Sequence, residues 1–352
     1  MRLERRERAS RAAALTAPIA AIAVTLLFAS SLVAIAGAPV GAAYASLLEG
    51  AFGSRFAISE TLTRAVPLML TGLAAAVAFR ARFYNIGAEG QLYGGALAAV
   101  AVAGMADSMP AVPMPVLFVL MLLAAALTGA LLLLGPAWLK TRLGVDEVVT
   151  TLLLNFVVLL FVSMMLDGPM KDPGAMGWPQ SRALPYELEL GRLLERTRLH
   201  SGLVYALGLA VLTGFMMRFT RFGFAVRAVG ANARAAHFAG IRVQRTMLVV
   251  AMLSGALAGL AGAIEVAGRT TYVTLDMSPG YGYSGIVIAM LAALNPVGVV
   301  VAAIFVAGMF VGADGMSRAV AVPTFIADVI VAASLLAMLV ATMLVHYRLR
   351  WR

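Results

Sequence analysis

The sequence predicts an all-α polytopic membrane protein with about ten transmembrane helices. Three observations lead there. Apolar residues make up 62% of the 352 and charged residues only 12%, against roughly 45–50% and about 25% in an ordinary soluble domain. The apolar residues gather in runs of about 20, the length a helix needs to cross a bilayer. The basic residues lie in short clusters between those runs, a topology signal rather than a nucleic-acid footprint despite the net charge of +10. A water-soluble fold is excluded, and no nucleic-acid partner is expected.

The first run, 17–37, follows Arg2, Arg5, Arg6, Arg8 and Arg11. That flank and the small residues of Ala34-Ile35-Ala36 imitate a secretory signal, but the spanning length and the runs that follow favour a retained first helix. Further runs lie near 58–79, 86–106, 114–139, 148–166, 201–217, 247–267, 281–294, 297–312 and 324–345. The eighth run is short and broken by glycine, and Asn295-Pro296 reads as a turn into the ninth. The chain thus divides into an N-terminal tail, 1–16, a transmembrane domain, 17–345, and a C-terminal tail, 346–352. With the N-terminus inside, the inner connections collect 18 of the 27 Lys and Arg residues. Both termini, Arg80 and the connection 218–246 are therefore expected in the cytoplasm, and the loop 167–200 outside.

Cysteine is absent and His200, His237 and His346 are scattered, so no disulfide, thiolate site or histidine metal cluster is expected. A run of small residues precedes a Gly-rich stretch twice, at 71–76 and again at 254–259. In the expected topology the two units run in opposite directions. An inverted repeat, which places a transported solute between its halves, and chance similarity among small residues both account for the echo.

The segment Asn85-Ile86-Gly87-Ala88-Glu89-Gly90-Gln91 puts polar groups beside glycines where a span begins. A carboxylate at membrane depth costs at least ~2.5 kcal/mol and is kept mainly where it faces protein, water or solute. Glycines there permit a broken helix that lines a cavity. The other reading places Glu89 at the cytoplasmic boundary, paired with Arg80 or Arg82. Glu60 and Arg64, four apart, read as a structural pair. Glu265 and Asp328 have no evident partner and are weaker candidates, for which solvation at the interface is the stronger reading. Tyr281 and Tyr283 could stack on a sugar or base, although boundary tyrosines are commonly anchors. In the cytoplasmic connection, Asn232 can cap a short helix that Gly240 ends, with small residues suited to docking. An ordinary basic loop binding lipid headgroups is the alternative.

These residues resemble the signature of ABC importer permeases of the ribose, nucleoside and branched-chain amino acid superfamily. The stretches that carry the resemblance are 85–91, the connection 230–240, and Ser254-Gly255-Ala256-Leu257-Ala258-Gly259 with its continuation to Glu265. The first motif, Gly280-Tyr281-Gly282-Tyr283-Ser284-Gly285 and Asn295-Pro296-Val297-Gly298 are most similar to the simple sugar and nucleoside branch. The resemblance implies a subunit that translocates a small polar solute by alternating access, paired with a second permease, often a different chain. It further implies a cytoplasmic ATPase docked at 230–240 and an extracytoplasmic substrate-binding protein. The path would be lined by Asn85, Glu89, Gln91, Tyr281 and Tyr283, and the ATPase coupled through Gly230, Asn232, Ala235, Ala236 and Gly240. No phosphate-binding loop surrounds Lys140 or Lys171, so ATP, the one cofactor implied, is expected on the partner and no enzyme activity here. The rivals are an ion-coupled secondary transporter using Glu89 and Asp328, and a membrane-embedded transferase, for which no acidic cluster is found.

Overall fold

A computed structural model describes residues 2–5, 11–106 and 111–350, with side chains described for 23–106, 111–337 and 339–341. Positions 1, 6–10 and 351–352 of the expected basic tails lie outside the described residues. The chain divides into two compact units, Met1–Thr61 with Ile304–Arg352, and Leu62–Ala303.

In the first unit, α1 (Arg11–Ile35) and α2 (Val40–Phe52) meet at a bend of 116°. Gly37 turns the chain at φ +78°, and Pro39 enters α2 from an extended conformation. The sequence reading has no element at α2, because its 13 residues are too few to cross a bilayer. Close approach holds it in place. A Cβ on Gly50 would lie 3.1 Å from the Gly315 Cα of α12 (Pro296–Val320), and one on Gly312 would lie 2.4 Å from the Leu47 carbonyl oxygen. Helix α13 (Thr324–His346) packs along α1. The chain ends lie together, since β1 (Arg2–Arg5) pairs antiparallel with β2 (Tyr347–Arg350).

The second unit holds most of α3 (Arg55–Arg80), whose residues 65–79 are all buried. It contains α4 (Ala88–Ala103), α5 (Met114–Leu143), α6 (Glu147–Asp167), α7 (Gly202–Phe219), α8 (Arg221–Ala231), α9 (Ala233–Phe238), α10 (Val243–Glu265) and α11 (Tyr281–Leu291). Helices α4, α5 and α10 touch backbone to backbone through glycine. A Cβ on Gly95 would fall 2.2 Å from the Gly259 oxygen, and one on Gly129 2.1 Å from the Gly255 oxygen. Lipid supplies no hydrophobic drive between helices, so such small-residue contact is how spans associate. On the outer side, Leu127, Phe156, Leu160 and Phe215 are exposed, as a hydrocarbon-facing surface requires.

All of the expected runs are helices. Length and apolarity nevertheless support seven crossings among the described residues, or eight if the bent pair of α1 and α2 is one span. The expected count of ten is not reached because α4 has 16 residues and α11 only 11. The turn at Asn295-Pro296 forms as expected: the Asn295 Oδ1 accepts from the Val297 N–H at 3.0 Å and caps α12.

Helix α10 orders the two ends of this unit. At its start, the Gln244 amide donates to the Thr141 carbonyl at the end of α5, at 3.1 Å. Its last turn widens into a π-type turn, Val266–Thr270, to which the long loop 168–201 is fastened. The N–H groups of Ser181, Leu184 and Leu190 donate to the carbonyls of Val273, Thr271 and Ala267 at 2.8–3.0 Å. Lys140 and the 218–245 connection thus share one end of the unit with the start of α10, and the long loop occupies the other.

Candidate functional site

Helix α3 stops at Arg80, and the chain turns through Arg82 at φ +55° before α4 begins at Ala88. A helix broken inside the protein leaves N–H groups without carbonyl partners, and here side chains supply them. The Asn85 Oδ1 accepts from the Gly87 N–H at 2.9 Å, the Thr151 hydroxyl from Ile86 at 3.2 Å, and the Asn155 Oδ1 from Gly90 at 2.8 Å. Asn155 also donates to the Ile86 carbonyl at 2.9 Å. Asn85 and Gln91 form a reciprocal amide pair at 2.9 and 3.0 Å. The Asn85 amide further donates to Ser254 Oγ at 3.1 Å, and Ser254 donates to the Ala74 carbonyl at 2.7 Å. Asn85, Gln91, Thr151, Asn155 and Ser254 are all buried.

The second break faces the first. Helix α11 starts after Gly280, at φ +86°, and its first turn meets the first turn of α4. Glu89, 3% exposed, accepts from the Gly282 N–H at 2.6 Å, and a Cβ on Gly282 would sit 2.2 Å from the Glu89 nitrogen. Two half-helix N-termini therefore converge on one carboxylate, where the positive ends of both dipoles favour it. The boundary reading of Glu89 is replaced: its partner is a backbone N–H of α11, not Arg80 or Arg82. At the end of the unit that carries Arg80 and Arg82 it is Glu147 that is paired, with Lys140, and it also accepts from the Tyr84 N–H at 3.1 Å.

The tyrosines divide. Tyr281 is fully buried, its carbonyl accepting from Thr71 Oγ1 at 2.9 Å and its hydroxyl from the Arg269 guanidinium at 3.0 Å. Tyr283 is 39% exposed and its hydroxyl accepts from the Asn155 amide at 3.2 Å. Glu265 is not solvated at an interface, the reading the sequence favours. It is 0% exposed and paired at 2.6 Å with Arg269, one turn on, which the sequence places past the apparent span end. Asp328 is exposed on α13.

A family model described as the permease component of the branched-chain amino acid transport system matches residues 57–346. The chain belongs to this permease family. The permease is 34% identical over 323 residues to a guanosine ABC transporter permease protein of Bacillus subtilis, covering 90% of this chain and 91% of that one. A glucose ABC transporter permease protein of Haloferax volcanii is 38% identical over 328 residues, 90% and 85% of the two chains. A nucleoside ABC transporter permease protein of Lactococcus lactis is 30% identical over 298 residues, 82% and 81%.

In the permease, the connection after α7 forms two helices. Thr220 caps α8 by accepting from Gly223 N–H at 3.0 Å, and Asn232 caps α9 by accepting from Ala235 N–H at 3.1 Å. Gly240, at φ +81°, ends the element as the sequence indicates. The structure separates the residues expected to dock together. Ala235 is exposed, whereas Ala236, about 100° further round the helix, is 4% exposed and faces the subunit's own interior. Gly230 is a packing residue too, since a Cβ there would lie 1.9 Å from the Arg80 oxygen. Phe238, at 91% exposure, is the prominent surface group of this turn, a residue the sequence reading includes in the connection without singling it out.

Proposed function

We propose that this permease carries a nucleoside or simple sugar across the cell membrane by alternating access, as one of two permease subunits of an ATP-driven importer. The observation that carries the reading is the meeting of the α4 and α11 N-termini at Glu89 and Gly282, since broken helices facing one another are the usual way transporters present backbone donors to a solute. Asn85, Glu89, Gln91, Tyr281 and Tyr283 surround that meeting, with Asn155 joining its two sides. They form the lining in the state that exposes them. The guanosine, nucleoside and glucose permeases among its relatives support the substrate class. ATP is hydrolysed on a separate cytoplasmic subunit, which docks on α9 through Asn232, Ala235 and the exposed Phe238, while Gly230, Ala236 and Gly240 fix the shape of the connection. A substrate-binding protein delivers solute to the face that carries the 168–201 loop.

Uptake into vesicles with the partner ATPase and binding protein tests both halves of the reading. Glu89→Gln is expected to cut uptake about tenfold or more while ATPase co-purification persists, a loss of the size expected for a hydrogen bond to a charged group. Ala235→Trp is expected to lose ATPase co-purification and uptake together. Normal uptake in Glu89→Gln removes the path assignment, and normal docking in Ala235→Trp removes the coupling assignment.

A further inference from the structure

Between α4, α5 and α6 lies an apolar groove of about 480 Å³, lined by Gly94, Ala98 and Ala101 of α4, Leu132 of α5, and Phe161 and Met165 of α6. A second cleft of about 370 Å³ lies beyond the end of α4, lined by Gly104, Met170, Lys171 and Arg182. The two share the lining residues Ala101 and Met170, so they adjoin, the first oily along its length and the second cationic. From Gly94 to Gly104 the two together extend about 15 Å along the helix axis, half of a hydrocarbon core of about 30 Å and thus the depth of one leaflet. Lys171 is half-buried and Arg182 exposed, and among the described residues neither has a carboxylate partner.

We infer that this groove and the adjoining cleft hold one phospholipid of the leaflet on the side of the 168–201 loop, one of its acyl chains between α4, α5 and α6 and its anionic headgroup on Lys171 and Arg182. The apolar walls match a hydrocarbon chain and nothing polar. Two cations without a carboxylate match a headgroup of net negative charge; a zwitterionic headgroup would bring its own cation against them. Gly94 deepens the inner end of the groove, because a Cβ there would meet the Leu132 side chain at 2.7 Å.

The test counts lipids retained by the purified full-length permease in native mass spectrometry. It is offered phosphatidylglycerol and phosphatidylcholine with the same acyl chains. The combined Lys171→Gln and Arg182→Gln variant is expected to bind its tightest phosphatidylglycerol about thirtyfold more weakly, the two cations contributing about equally, with phosphatidylcholine unchanged. Ala101→Phe, at an exposed alanine, is expected to reduce retention of both lipids. An unchanged phosphatidylglycerol count in the charge variant overturns the assignment. So does displacement of the lipid by soluble glycerol phosphate at equal concentration, which would mark a free-anion site. Loss of pairing between permease subunits in Ala101→Phe with lipid retention intact would mark the groove as a protein interface instead.

Discussion

Asn155 is one amide among apolar side chains, and it holds three hydrogen bonds, to Gly90, Ile86 and Tyr283. It joins α4, the loop before it and α11 to one point on α6. A second buried polar residue sets a pH limit on the fold. His200 is 1% exposed beneath Gly268, and burial, followed by the nearby Arg269, lowers its pKa from the usual 6.5 to about 4. Its neutral form is the one the fold accommodates. The stability it contributes is present above pH 6.5 and is lost as pH falls towards 4, amounting at the end to about 3 kcal/mol. Thermal unfolding of wild type and His200→Gln at pH 7.5 and 4.5 checks this: wild type is expected to lose more than the variant, and parallel losses would assign the sensitivity elsewhere. At this scale the sequence exposes the 85–91 motif, because polar groups among glycines stand out at the start of a span. It hides Thr151, Asn155 and Ser254, since single small polar residues inside spans are common and their partners are 65 to 180 positions away.

Between elements, glycine position decides what can be changed. On α5, Gly129 faces the Gly255 carbonyl with no room for a methyl group, whereas Gly135 has nothing within 4 Å of an added Cβ. Gly129→Ala is therefore expected to cost about 1–3 kcal/mol or more by forcing two backbones apart. Gly135→Ala is expected to be neutral or to gain up to about 1 kcal/mol from helix propensity. Thermal midpoints in detergent, with size-exclusion profiles, distinguish them, and equal midpoints would refute the backbone contact. The apolar runs of 14–26 residues are legible as helices because a bilayer demands them, and the α9 cap is legible because Asn and Gly have local signatures. Helix α2 was not, being short and held by contacts at Gly50 and Gly312 that depend on distant residues. The sequence marks the α11 run as short, but it does not show that α4 is also short or that the two meet head to head.

For the whole molecule, orientation follows from charge. The connection bearing Arg218 to Arg245 is expected at the cytoplasmic face by the basic-residue asymmetry, and the 168–201 loop, at the opposite end of α10, on the other side. A chain without cysteine permits a direct check by single introductions. Tyr186→Cys, at an 82% exposed loop position, is expected to react with an impermeant thiol reagent in intact cells, and Arg234→Cys only after permeabilisation. The reverse pattern would invert the topology and with it the assignment of α9 to the ATPase.

The fastening of the long loop to the far end of α10 also has a mechanical meaning. Helix α10 is a rod of about 35 Å, gripped along its middle by α4 and α5 through contacts too tight to admit a methyl group. Just past one tip the chain is laced to the loop by the Ser181, Leu184 and Leu190 rungs, and at the other tip the helix is tied to Thr141, with residues 239–242 leading back to α9. A rod so clamped absorbs little by flexing. With α4 and α5 it forms one stiff block, so a displacement of the loop is expected to be carried by that block to the end that bears α9 rather than lost in bending of α10.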